Sequence, residues 1–179
     1  MTRYVALLQG INVGKYKRIA MADLRTLVEG LGHADVTTHL NSGNVVFAAE
    51  NGTTVQLARQ IEGTIRDQLG LQVPVVVRSG EELARVVANN PFPDAVADHK
   101  TLHVTFLGEA PDPEWVAALA EVERGDDDYR VVGADVYLHY PNKLSGATFL
   151  PTGLGKALGV VATSRNWRTV TRLAEMADS

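Results

Sequence analysis

Two short stretches of the chain bring together the residue types that hold anions. Near the start, Gly10, Asn12 and Gly14 lead into Lys15, Lys17 and Arg18, so backbone able to turn sharply is followed at once by three cations. Near the end, Arg165, Asn166, Trp167 and Arg168 stand at the head of a helical pattern. There Asn166 or Ser164 is placed to cap the helix, and backbone N–H groups beside arginine favour an anion. A third polar turn, Asn41-Ser42-Gly43-Asn44, lies between two strand patterns. These types point to a small anionic ligand held by Asn12, Lys15, Lys17, Ser42, Asn44, Arg165, Asn166 and Arg168. The expected site draws on the 10–18 loop, the 42–44 turn and the 165–167 helix start.

Other chemistries fit less well. Gly10 to Lys15 is one residue short of a phosphate-binding P-loop, no Ser or Thr follows Lys15, and the next helical pattern begins several residues later. His99 and His103 lie along a strand, where four residues span about 13 Å, too far for one metal ion. The run from Glu121 to Asp128 does not follow the calcium-loop pattern with its spaced ligands, glycine and terminal Glu, and reads as a solvated acidic turn. Neither Ser42 nor Ser145 sits in a Gly-x-Ser-x-Gly elbow. No carboxylate pair stands out as general acid and base, so no reaction is assigned. No metal and no cofactor is expected.

The bulk of the chain narrows the field further. At 179 residues, 45% of them apolar, it is long enough to bury roughly 70% of its unfolded surface. The absence of cysteine excludes disulfides, thiolate catalysis and iron–sulfur clusters, and fits a reducing compartment. The longest apolar run near the start is five residues, too short for a signal or a membrane span. A soluble cytoplasmic protein is expected. The net charge is −4, and the acidic excess lies in the second half. Residues 1–90 carry 9 basic against 8 acidic side chains, and residues 91–179 carry 8 against 13. An acidic chain with 6% aromatics argues against RNA binding on a base-stacking sheet, and nucleic acid is not the expected partner.

The elements that must position these residues can be read from periodicity and punctuation. Tyr4 to Leu8 is a strand buried on both faces. Met21, Leu24, Leu27, Val28 and Leu31 share a helical face that closes at Gly32. Residues 36–40 and 45–47 form a hairpin around the 41–44 turn. Thr53 or Thr54 opens a second helix that ends at Gly70, and a fourth strand covers 73–77, with Pro74 assigning it to an edge. Ser79 and Glu82 make a capping box for a connecting helix, which stops at Asn89-Asn90-Pro91. The order then recurs: a strand at 102–107, a helix opening at Asp112-Pro113, a hairpin at 130–140, one or two helical turns at 154–158, a last strand at 160–161 and a helix from about Asn166 to Met176. The expected fold is α+β: two tandem ferredoxin-like βαββαβ units, residues 1–90 and 91–179, with a connecting helix and a C-terminal helix. No sequence repeat between the halves is visible beyond this order.

Three separated motifs carry a family resemblance. Tyr4-x-x-Leu7-Leu8-x-Gly10-Ile11-Asn12-Val13-Gly14, Ser42-Gly43-Asn44-Val45-Val46-Phe47 and Arg165-Asn166-Trp167-Arg168-Thr169-Val170 resemble an uncharacterised bacterial group, the domain-of-unknown-function family 1697. The resemblance implies a two-part ferredoxin-like architecture and brings no reaction with it. Gln9 and Lys15 stand where the family usually has Arg and Gly, and Asn41 stands where it usually has Gln. The 141–146 segment, Pro-Asn-Lys-Leu-Ser-Gly, resembles a Pro-x-Gly…Ser-Lys stretch of the family but lacks its glycine and lysine at those places. Besides the anion-binding role, a protein-interaction or assembly module with exposed sheet edges fits the pattern, at an oligomeric state the sequence does not fix.

Overall fold

The computed structural model describes residues 1–149 and 151–178, and the chain divides into two compact units. The first comprises Met1–Arg85 together with Leu173–Ser179, the second Val86–Arg172. In the first, β1 (Thr2–Leu8), α1 (Met21–Glu29), β2 (Ala34–His39), β3 (Asn44–Ala49), α2 (Thr54–Leu69) and β4 (Val75–Ser79) follow one another and lead into α3 (Gly80–Ala88). The strands form one sheet in the order β2-β3-β1-β4, every neighbouring pair antiparallel. This is the ferredoxin-like arrangement. Pro74, just before β4, finds the edge position that its missing N–H requires.

The core follows from strand alternation. Ala6, Leu8, Val45, Phe47, Val75 and Val77 meet Leu24, Val28, Leu57, Ile61 and Ile65 of the helices. Their odd neighbours Val5 and Leu7 are buried as well, which accounts for the unbroken apolar run of β1. Thr53 and Gln56 form a capping box for α2, and Gly70 closes it in the left-handed conformation. Helix α1 ends earlier than its apolar period implies. Gly30 takes the C-cap and Gly32, at φ +87°, makes the turn.

The second unit repeats the order with β5 (Leu102–Leu107), α4 (Pro113–Leu119), β6 (Asp128–Val132), β7 (Asp135–His139), α5 (Leu154–Leu158) and β8 (Ala162–Asn166), then α6 (Trp167–Asp178). Its sheet runs β6-β7-β5-β8. Each predicted hairpin is therefore the consecutive pair in the middle of its unit's order, and the two sheets are separate. The last strand, expected at 160–161, instead occupies 162–166. Gly159 (φ +68°) and the Val160 N–H to Gly155 O bond still belong to the end of α5, and pairing begins at Ala162 opposite Leu107. The helical layers also differ. Where the first unit has the 16-residue α2, the second has the five-residue α5 and short 3₁₀ turns at Leu144–Gly146 and Pro151–Gly153.

Candidate functional site

The 10–18 loop leaves β1 at the end of the sheet where β3 and β4 begin, because both pair antiparallel to β1. It is held there by its own backbone and by one side chain. Leu8 N donates to Gly43 O at 2.9 Å and Gln9 N to Pro74 O at 2.9 Å. Asn12 N donates to Lys17 O at 3.1 Å and Val13 bridges Tyr16, so residues 12–17 form a miniature hairpin. Asn12 itself is the stitch. Its Nδ2 donates to Ile19 O at 2.9 Å and to Asn41 O at 2.8 Å, and its Oδ1 accepts from Ile19 N at 2.9 Å. The side chain expected to meet a ligand thus joins the two ends of its own loop to the β2–β3 turn.

Much of this backbone lies in the left-handed region. Gly10, Gly14 and Gly43 occupy it, and so do Asn12 (φ +55°), Lys17 (φ +48°) and Leu40 (φ +61°). For Asn12 this is tolerable. For Lys17 and Leu40 it costs about 1–2 kcal/mol each. Gly43 leaves no alternative, since a Cβ there would stand 2.7 Å from Ile11 Cδ1 and 2.8 Å from Leu8 Cβ. The result is a shaped tip with Lys15, Lys17 and Arg18 exposed. Arg18 Nη1 donates to Gly14 O at 3.0 Å, and Lys15 Nζ lies 5.6 Å from the centre of the Tyr16 ring. Large apolar side chains share the tip: Val13 is 71%, Tyr16 72% and Leu40 57% exposed.

The 42–44 turn contributes shape. Asn44 is fully buried, and its Nδ2 donates to His39 O at 2.7 Å and to Ser42 Oγ at 3.1 Å. Ser42 lies exposed at the surface of the turn. The structure therefore brings Asn12, Lys15, Lys17, Ser42 and Asn44 to one group of loops in the first unit. Arg165, Asn166 and Arg168 belong to the second.

There the details differ from a cation displayed beside a helix end. Asn166 does cap α6, its Oδ1 accepting from Thr169 N at 2.9 Å, and Trp167 is buried. Arg165, however, lies within β8 and is 8% exposed. Its Nη1 donates to Thr163 Oγ1 at 2.8 Å and to Ser164 O at 2.9 Å. Burial pushes its guanidinium down to about 10. The cation that solvent reaches on the first turn of the helix is Arg168.

Strand register shows a residue that inspection of the sequence missed. Val104 of β5 pairs with Arg165, and Val5 of β1 pairs with Arg78 of β4. Arg78 is likewise buried, at 7%, and is likewise followed by an N-cap. Ser79 N donates to Glu82 Oε2 at 2.7 Å and Glu82 N to Ser79 Oγ at 3.1 Å. Each unit thus ends its fourth strand with a buried arginine one residue before a capped helix. The signal in the sequence is slight: Arg78-Ser79 and Arg165-Asn166.

The same register sets polar side chains in the second unit where the first has apolar ones. Ala6 and Val77 correspond to Thr105 and Ser164, whose hydroxyls bond each other. His103 stands edge-on to Tyr140, ring centres 5.5 Å apart. His103 Nδ1 and Tyr140 Oη are both buried without a hydrogen-bond partner. Burial, with His99 nearby, holds the His103 imidazole below its ordinary range. Burial, reinforced by Asp127, holds the Tyr140 phenol well above its own. Asp127 is buried too, its Oδ2 accepting from Thr148 N at 2.7 Å and Phe149 N at 2.9 Å. Among the described residues no group of three or more His, Asp or Glu side chains is placed to hold a metal ion. No helix among them is long and apolar enough to cross a membrane.

Comparison with known proteins agrees with this architecture. Residues 1–137 match the family described as "Protein of unknown function (DUF1697)". Among solved structures, the chain is similar to a conserved bacterial protein, SP0830 from Streptococcus pneumoniae. The two are 25% identical, with a TM-score of 0.76, over 100% of this chain and 99% of that one. Among curated proteins, none matches.

Proposed function

The chain belongs to the protein family of unknown function DUF1697, and we propose that it binds a small anion through the 10–18 loop of its first unit. The observation that carries this is the tip itself. Three cations stand exposed on a loop locked by Asn12, in a chain of net charge −4. Lys15, Lys17 and Arg18 supply the charge. Asn12 and Asn44 hold the backbone, and Ser42 offers a hydroxyl at the neighbouring turn. In the second unit, the capped start of α6 with Arg168 forms a weaker anion-favouring point, argued separately and on its own geometry. Exposed pairs contribute about 0.2–1 kcal/mol each, so three of them contribute at most about 3 kcal/mol, a dissociation constant of several millimolar or weaker for a simple anion, weakening further with salt.

Titration with inorganic phosphate, followed by amide NMR shifts, tests the proposal. Saturable shifts are expected at Gly14 to Arg18, and the triple variant Lys15→Ala, Lys17→Ala, Arg18→Ala should lose them while keeping the rest of its spectrum. Absence of saturable shifts in the native chain would remove the anion role.

An assembly role is favoured by a separate observation in the second unit. Trp115 of α4 is 48% exposed, and Val122, Val132 and Val161 are exposed as well. Apolar exposure on this scale marks docking surfaces when it is contiguous. Light scattering separates the two roles: a stable oligomer at micromolar concentration, with an interface above about 1,000 Å², favours assembly, and a monomer favours the ligand.

A further inference from the structure

We infer that the anion taken by the 10–18 loop is the phosphate of a nucleotide, whose base stacks on Tyr16. This rests on the anion-binding role proposed above and specifies its ligand. Tyr16 is 72% exposed, yet it is not a side chain on a loose strand of loop. The bridge to Val13, the Asn12 N to Lys17 O bond and the Asn12 side chain fix the backbone on either side of it. An exposed ring carried on fixed backbone is a stacking platform, because a base can cover it without first ordering the main chain of the loop.

The cations complete the match. Lys15 Nζ lies 5.6 Å from the ring centre, within reach of one face, and Lys17 and Arg18 follow within two residues. A nucleotide carries a planar base and a phosphate joined by one sugar, and so asks for a ring and a cation at short separation. Val13, bridged to Tyr16, and Leu40, beside the Asn41 carbonyl that Asn12 ties to the loop, are exposed as well. Phosphate contact here runs through side chains, since α1 begins only at Met21. The net charge of −4 opposes a long polyanion and tolerates a single phosphate. The occupant is therefore a free nucleotide rather than a strand of nucleic acid.

Calorimetric titration with ribose 5-phosphate, adenosine 5′-monophosphate and a short single-stranded oligoadenylate provides the test. The monophosphate should bind about tenfold tighter than ribose 5-phosphate, the gain expected of one stacked base. Tyr16→Ala should erase that gain and leave ribose 5-phosphate binding unchanged, whereas Tyr16→Phe should keep it. Equal affinity for the two small ligands would overturn the base-stacking inference and leave the anion role standing. No saturable binding of any probe would overturn both. A preference for adenosine monophosphate that survives Tyr16→Ala would place the base elsewhere. Oligoadenylate binding far more tightly than the monomer would show that the loop takes a strand, contrary to the inference.

Discussion

Asn12 carries a structural load out of proportion to its size. Three hydrogen bonds leave one side chain, each worth about 0.5–1.5 kcal/mol net. Asn12→Ala is therefore expected to lower stability by about 2 kcal/mol and to loosen the tip, measured as a lower urea midpoint and faster amide exchange at residues 13–18. Tyr140 presents the opposite case. Its hydroxyl is buried without a partner, an arrangement that costs about 1–3 kcal/mol. Tyr140→Phe should raise the urea midpoint, and a clear fall would show that the hydroxyl has a partner in solution. His103 makes the fold sensitive to acid. Its imidazole titrates below the ordinary 6.5 when folded, so the unfolded chain takes up the proton first. The stability due to neutral His103 is whole above pH 6.5 and is lost as the pH falls from there through the folded value. Equilibrium unfolding measured at descending pH should follow that course, and His103→Gln should flatten it.

At the scale of elements, close approach decides which residues are permitted. Gly80 opens α3, and a Cβ there would stand 2.5 Å from Ala177 O on the last turn of α6. Gly80→Ala should destabilise the first unit by about 1–3 kcal/mol, the range for overpacking, with loss of exchange protection concentrated in α6 and β4. Element order was legible in the sequence because glycines, prolines and capping boxes punctuate it: Thr53 with Gln56, Ser79 with Glu82, Asp112 before Pro113. Strand β8 was misplaced because Thr163, Ser164, Arg165 and Asn166 are polar, and their burial depends on partners in β5 that only register shows. Arg78 escaped notice for the same reason, since an arginine at a strand end reads as solvated until its pairing is known. Of the candidate site, the charged tip and the caps were legible. The double role of Asn12 was not, because it depends on contacts seven and twenty-nine residues away.

The whole molecule is less simply divided than its tandem elements imply. The first unit takes Met1–Arg85 and then, after the entire second unit, the stretch from Leu173 onward. Leu173 is fully buried and Ala177 nearly so. Truncation after Arg172 removes both, and loss of one such buried leucine alone costs about 2–5 kcal/mol. The truncated chain should show lowered exchange protection in β1 to β4, read by hydrogen-exchange mass spectrometry. Unchanged protection there would show that the first unit closes without its last segment.

That discontinuity has a consequence for biosynthesis. A domain made from one stretch of chain can fold as soon as that stretch leaves the ribosome, but this first unit is synthesised nearly whole and then waits. Between Arg85 and Leu173 lies the second unit, which takes roughly 5–15 s to translate at typical rates. During that interval the nascent first half lacks the Ala177 carbonyl against which Gly80 packs. Emergence of the stretch from Leu173 is thus the event that completes the first unit, and stalling before it leaves that unit short of its last packing segment.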